Sequence, residues 1–100
     1  MTDTYLTITA TPNPENQAQM AEYLKNVMPM FAAAGGKPIV RQKVNQVLSG
    51  NPGFVLMLVM TFPSAEAIQT LFSSAEYAPL IPIRDKAFSQ LSISITGPFG

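Results

Sequence analysis

Arg41, Arg84 with Asp85, Tyr23 and Tyr77 are the residues of this chain best suited to hold a ligand, and the chemistry open to them is polar recognition. An arginine donates hydrogen bonds in a rigid fork that matches a carboxylate or carbonyl oxygen, and a neighbouring aspartate can orient that fork. A tyrosine offers a single hydroxyl on an otherwise apolar ring. The 100 residues include no histidine and no cysteine. That removes Ser-His-Asp and Cys-His nucleophile pairs, thiolate chemistry and the common imidazole and thiolate metal cages.

Each candidate also has a plainer reading. Arg84 and Asp85, placed after a short and interrupted helix, can be a structural ion pair or a solvated turn. Arg41, in the second strand, either projects into the cleft between sheet and helices or stands as a charged gatekeeper on a sheet edge. Tyr23 and Tyr77 can fill the core while their hydroxyls meet a backbone carbonyl. Glu22 reads as solvent-facing, Glu66 as a partner of the helix dipole and Glu76 as a capping residue. No two carboxylates share an evident site, so glycosidase-like and metal-carboxylate chemistry have no support, and neither a metal nor a cofactor is expected. Met20, Met28, Met30, Met57 and Met60 could line an adaptable pocket, but core and interface packing is the simpler account.

The elements that position these residues are readable from periodicity. From Thr4 to Thr11, Leu6, Ile8 and Ala10 alternate with Tyr5, Thr7 and Thr9, the period of a strand. Asn13-Pro14-Glu15 starts a helix, with Asn13 as cap and Pro14 at the first position. Met20, Leu24, Val27, Met28 and Phe31 form its apolar stripe. Pro29 should kink it or tighten its last turns, and Gly35-Gly36 stops it. Lys37 to Leu48 holds a second strand of imperfect alternation, an edge strand with a bulge. After the turn Ser49–Gly53, the run Phe54–Met60 contains no polar residue and calls for cover on both faces. Ser64 caps a second helix carrying Ala67, Ile68, Leu71 and Phe72, and Ser73 with Glu76 has capping-box spacing. Pro79 and Pro82 break up the next stretch. Leu91, Ile93 and Ile95 alternate with Ser92, Ser94 and Thr96 in a last strand, followed by the tail Gly97–Gly100.

The order β-α-β-β-α-β predicts one α+β domain over residues 1–100, of ferredoxin-like type, with an antiparallel four-stranded sheet and helices on one face. Apolar residues make up 47% of the chain and charged ones 12%, about half the usual charged share. A small domain with so little charge is expected to cover part of its apolar surface with a second copy of itself, through the sheet face. Six basic residues balance six acidic ones, so no basic stripe exists for nucleic acid. No run has the length of a membrane span. Met1-Thr2-Asp3-Thr4 lacks the look of an export signal, and a cytoplasmic location is the default expectation.

The stretches Phe62-Pro63-Ser64-Ala65-Glu66-Ala67, Ser74-Ala75-Glu76-Tyr77 and Leu80-Ile81-Pro82-Ile83-Arg84 resemble the domain-of-unknown-function thirteen-thirty family of the dimeric α+β barrel superfamily. Pro29, Gly35-Gly36-Lys37 and Arg41 fit the same pattern, and the resemblance covers almost the whole chain. It implies a dimer that closes a barrel, within a superfamily that includes small cofactor-free monooxygenases and chlorite-dismutase-like proteins. Many relatives carry a histidine just before the Gly-Gly pair. Here that position is Ala34, so any acid, base or ligand role it serves elsewhere is absent.

Three functional readings follow. The first is a small apolar or aromatic carbonyl compound bound between sheet and helices, with Arg41, Tyr77 and Arg84 fixing its polar atoms. A cofactor-free monooxygenase would be a special case, its substrate supplying the reactivity. The second is a non-catalytic dimeric module, structural or partner-binding, with a filled core and its arginines in solvent or ion pairs. The third, a heme protein, lacks a histidine or cysteine axial ligand.

Overall fold

The computed structural model describes residues 4–99. The reading of Met1-Thr2-Asp3 as lacking an export signal, and Gly100 of the tail, lie outside the described residues.

Strand β1 (Tyr5–Pro12) is central, between β3 (Leu56–Thr61) and β4 (Phe88–Thr96), and β2 (Lys37–Lys43) lies outside β3. All neighbours are antiparallel, in the order β2-β3-β1-β4. Directly opposed residues share a face of the sheet. Leu6, Ile8 and Ala10 therefore stand with Met60, Leu58 and Leu56 of β3 and with Ile95, Ile93 and Leu91 of β4. Tyr5, Thr7 and Thr9 share the other face with Thr61, Val59 and Met57, and with Thr96, Ser94 and Ser92.

Strand β2 is an edge strand with the expected bulge, a register shift between Pro38 and Val40. The bulge matters because one added residue inverts which face the following side chains occupy. It puts Arg41 opposite Leu58 and Lys43 opposite Leu56, on the helix-facing side. The strand stops at Lys43 rather than continuing to Leu48. Val44 makes one more backbone bond, N–H to Val55 O at 2.7 Å, before the chain leaves through a loop that uses Gly50 and Gly53 at positive φ.

Asn13 accepts from Glu15 N–H at 3.0 Å and caps a short 3-10 turn, Pro14–Asn16, which leads into α1 (Gln17–Ala33). Helix α1 runs on through the exposed Pro29. At its end Gly36 N–H bonds Phe31 O and Gly35 N–H bonds Ala32 O, with Gly35 at φ 89°, the paired bonds of a Schellman cap. Gly36 has a separate reason to be glycine. A Cβ there would lie 2.6 Å from the Phe62 ring and 2.9 Å from Phe31 O.

Ser64 caps α2 (Ala65–Phe72) as expected, accepting from Ala67 N–H at 3.1 Å. Two readings need correction. Ser73 does not open a helix with Glu76; it closes α2, donating its hydroxyl to Gln69 O at 2.7 Å, and Ser74 accepts from Tyr77 N–H. Pro79 and Pro82 do not break the following stretch. They sit at the N-cap and within the first turn of a third helix, α3 (Leu80–Ala87), where no backbone donor is needed. Arg84 and Asp85 thus lie inside α3 rather than after a helix.

The three helices cover one face. Under them Leu6, Val27, Phe31, Met60, Phe62, Ile68 and Tyr77 are almost wholly buried, and the Phe31 and Phe62 rings meet edge to face at 6.1 Å. No described element covers the other face. Among the described residues no helix is long and apolar enough to cross a membrane.

Candidate functional site

The core does not close everywhere. Between α1 and the sheet lies a cavity of about 490 Å³. Helix α1 contributes Met20, Tyr23, Leu24, Val27, Met28 and Phe31; the strands contribute Ile8, Ala10, Leu56, Met57, Leu58, Phe88, Leu91 and Ile93. Its polar side chains come from Arg41 and Lys43, along the β2 edge, and from Tyr23. Among the described residues no carboxylate lines it. Arg41 and Lys43 are exposed and make no ion pair with a described residue.

Behind Tyr23 runs a chain of polar contacts. The Tyr23 and Tyr77 hydroxyls are 2.8 Å apart. Arg84 Nη1 donates to the Tyr77 hydroxyl at 3.1 Å, and Arg84 Nε donates to Asp85 Oδ1 at 3.1 Å. Helix α1 brings Tyr23, the turn after α2 brings Tyr77, and α3 brings the Arg84–Asp85 pair. Tyr23 is 4% exposed and Tyr77 1%, whereas the side chains of the ion pair are 23% and 62% exposed. Ring contacts hold the phenols in place: Tyr77 meets Phe72 edge-on at 4.9 Å, and Tyr23 meets Phe88 at 6.0 Å. Burial first, and then the bond to Tyr77, push the Tyr23 phenol far above its ordinary value, so it stays protonated. Burial opposes the charge on Arg84, but the Tyr77 hydroxyl and the Asp85 carboxylate outweigh it and raise its pKa, so this guanidinium is a permanent cation.

The residues singled out from the sequence thus fall into two groups. Tyr23, Tyr77, Arg84 and Asp85 form one connected network. Arg41 stands apart on the β2 side, and only Tyr23 belongs to both the network and the cavity wall. Tyr77 and Arg84 do not line the main cavity: Tyr77 packs behind Tyr23, and Arg84 borders a smaller recess with Leu6, Ile68 and Phe72. Sequence reasoning passed over Lys43 and Phe88, and it assigned Met20 and Met28 to packing although they line the cavity. The imperfect alternation of the second strand was the available signal, since the bulge behind it turns Arg41 and Lys43 inward.

Comparison with known proteins agrees with this architecture. A protein of unknown function from Rhodopseudomonas palustris superposes with a TM-score of 0.79 at 16% identity, covering 97% of this chain and 82% of that one. A protein from Arabidopsis thaliana gives 0.71 at 12%, covering 97% and 96%. A dimeric ferredoxin-like protein of unknown function from a Jannaschia species gives 0.70 at 8%, covering 95% and 98%. At these identities the likeness establishes the ferredoxin-like fold. No curated protein matches the sequence. The model of one family, described as Domain of unknown function (DUF1330), matches residues 4–98. With the match spanning nearly its whole length, the chain belongs to the DUF1330 family.

Proposed function

We propose that this protein binds a small apolar or aromatic carbonyl compound in the cavity between α1 and the sheet, and that it does so as a homodimer. The cavity carries the reading. Its volume, about 490 Å³, falls within the few hundred to a thousand Å³ of small-molecule sites, and its apolar wall is broken by a few polar groups. A purely structural module would have filled this space. The Arg84–Asp85 ion pair is what that alternative expects of Arg84, so the polar atoms of a ligand are assigned instead to Tyr23 and to Arg41 at the rim. The chain has no histidine or thiol, and among the described residues no carboxylate stands on the wall to act as a base. Any oxidation of a bound compound would rely on the compound's own reactivity.

The homodimer reading rests on the uncovered sheet face. Met57 and Val59 sit there among threonines and serines, and Ile39, Val47, Leu48 and Val55 are further apolar residues left exposed at the β2 side and in the loop after it. A second copy is the simplest cover. The Jannaschia protein, described as dimeric, supports this choice.

Native mass spectrometry of the gently purified protein, before and after adding acetonaphthone, tests both parts. A dimer that carries a co-purified apolar compound, or takes up the ketone, is the expected result. A monomer at micromolar concentration would contradict the pairing. A dimer that holds nothing and takes up nothing would overturn the ligand reading.

A further inference from the structure

The rim of the cavity bears on the charge of the ligand, a step that rests on the cavity reading above. Strand β2 is an outermost strand of the sheet, so one side of the cavity ends at a sheet edge. Two cations stand there. The register places Arg41 beside Leu58 and Lys43 beside Leu56, and all four residues line the cavity. Side chains two apart on a strand leave the same face about 7 Å from one another, a spacing that two long, flexible side chains can close around a single carboxylate. Their heads are not otherwise engaged. Both residues are exposed, and neither side chain forms an ion pair or hydrogen bond with a described residue. Arg84 differs in this respect, since its guanidinium is already held by Asp85 and the Tyr77 hydroxyl. Charges placed only to deter edge pairing would serve on either face of the strand. Here the bulge between Pro38 and Val40 brings both cations onto the cavity side.

We infer that the cavity takes an ionised apolar carboxylic acid, aromatic or alkyl, with its apolar body between α1 and the sheet and its carboxylate at the β2 rim between Arg41 and Lys43. Solvation sets this orientation. A carboxylate pushed in among Ile8, Val27, Phe31 and Ile93 would lose its hydration with nothing to replace it. At the rim it keeps part of its water and gains two cations, of which the arginine can bind both carboxylate oxygens. Among the described residues no carboxylate lines the wall, so the bound acid meets no like charge there. The Tyr23 hydroxyl is bonded to Tyr77, which leaves the choice of charge to β2.

The test compares naphthoate with acetonaphthone, which has nearly the same shape and no charge, as competitors of N-phenylnaphthylamine, a neutral fluorescent occupant of apolar cavities. An apolar cavity without cations favours the ketone, because the carboxylate must give up more hydration. The native protein should instead bind naphthoate about five- to thirtyfold more tightly than the ketone, as expected of two exposed ion pairs. Arg41→Gln and Lys43→Gln should each lower this ratio, and the double variant should abolish the preference while binding the ketone and the dye as the native protein does. Both side chains are exposed, so the double variant keeps its core. Lys37→Gln removes the same charge from the same strand outside the cavity wall and should leave the ratio unchanged. Naphthoate that binds no better than the ketone, a preference that survives in the double variant, or a ratio that falls as much in Lys37→Gln as in Arg41→Gln overturns the inference and leaves the cavity reading standing. If the dye and both competitors fail to bind the native protein, both readings are overturned.

Discussion

The helix-facing side of the sheet has a filled end and a hollow end, and the same two central strands build both. At the filled end Leu6 of β1 and Met60 of β3 are 0% and 1% exposed, beneath Phe31, Phe62, Ile68 and Tyr77. At the hollow end Ile8 and Leu58, one strand repeat away, are only half-buried and border the cavity. Hydrophobicity does not distinguish these pairs. What differs is the layer above: α2 and the turn carrying Tyr77 contribute to the filled end, whereas α1 and the β4 residue Phe88 roof the hollow one. The strands supply apolar surface along their whole length, and the helices decide where it is converted into core and where it is left as a binding wall.

Substitutions at the two ends should therefore behave differently. The largest effect is expected from Phe62→Ala, which removes a fully buried ring at the filled end and should cost about 3–5 kcal/mol in denaturant unfolding. Gly36→Ala comes next, at about 1–3 kcal/mol, because the new methyl group must displace the Phe62 ring or the Phe31 carbonyl. Tyr23→Phe, where the two ends meet, should cost about 1–2 kcal/mol through the lost hydroxyl contact. That position also predicts a pH dependence. Burial favours the neutral phenol, so the folded chain holds this proton more tightly than the unfolded chain. The contribution is intact below the ordinary tyrosine pKa of about 10 and is lost as pH rises above it, and Tyr23→Phe should flatten that alkaline decline. At the hollow end, Leu58→Phe grows into open space and should change stability by less than about 1 kcal/mol while blocking the cavity. Asp85→Asn should change stability least, by no more than about 0.5 kcal/mol, because its pair is largely exposed and Arg84 keeps Tyr77 as acceptor.

The filled end was largely legible in the sequence and the hollow end was not. Alternation in Thr4–Thr11 and in Leu91–Thr96 marks the central strand and its β4 neighbour, because a half-buried strand must repeat every two residues. Ser64 and Gly35 mark helix ends through local hydrogen bonds that depend on a few adjacent residues. The misread features depend on position within an element. Pro82 breaks a helix interior but fits a first turn, and the Ser73–Glu76 spacing cannot reveal that Ser73 already closes the preceding helix. The cavity depends on which helix roofs which strand segment, a three-dimensional relation that leaves no periodic trace. The network was half visible. Tyr23, Tyr77, Arg84 and Asp85 were each identifiable by type, but their connection joins α1, a turn and α3 across a sequence separation of more than fifty residues. The inward turn of Arg41 depends on a bulge at Pro38–Val40, which the sequence suggested without fixing which face followed it.

The most direct test of the hollow end is a fluorescence titration of the native protein and Leu58→Phe with N-phenylnaphthylamine. Saturable binding of one probe per chain in the native protein, lost in a Leu58→Phe variant of unchanged stability, is the predicted result. No saturable binding, or binding that Leu58→Phe leaves untouched, would contradict the cavity as the ligand site.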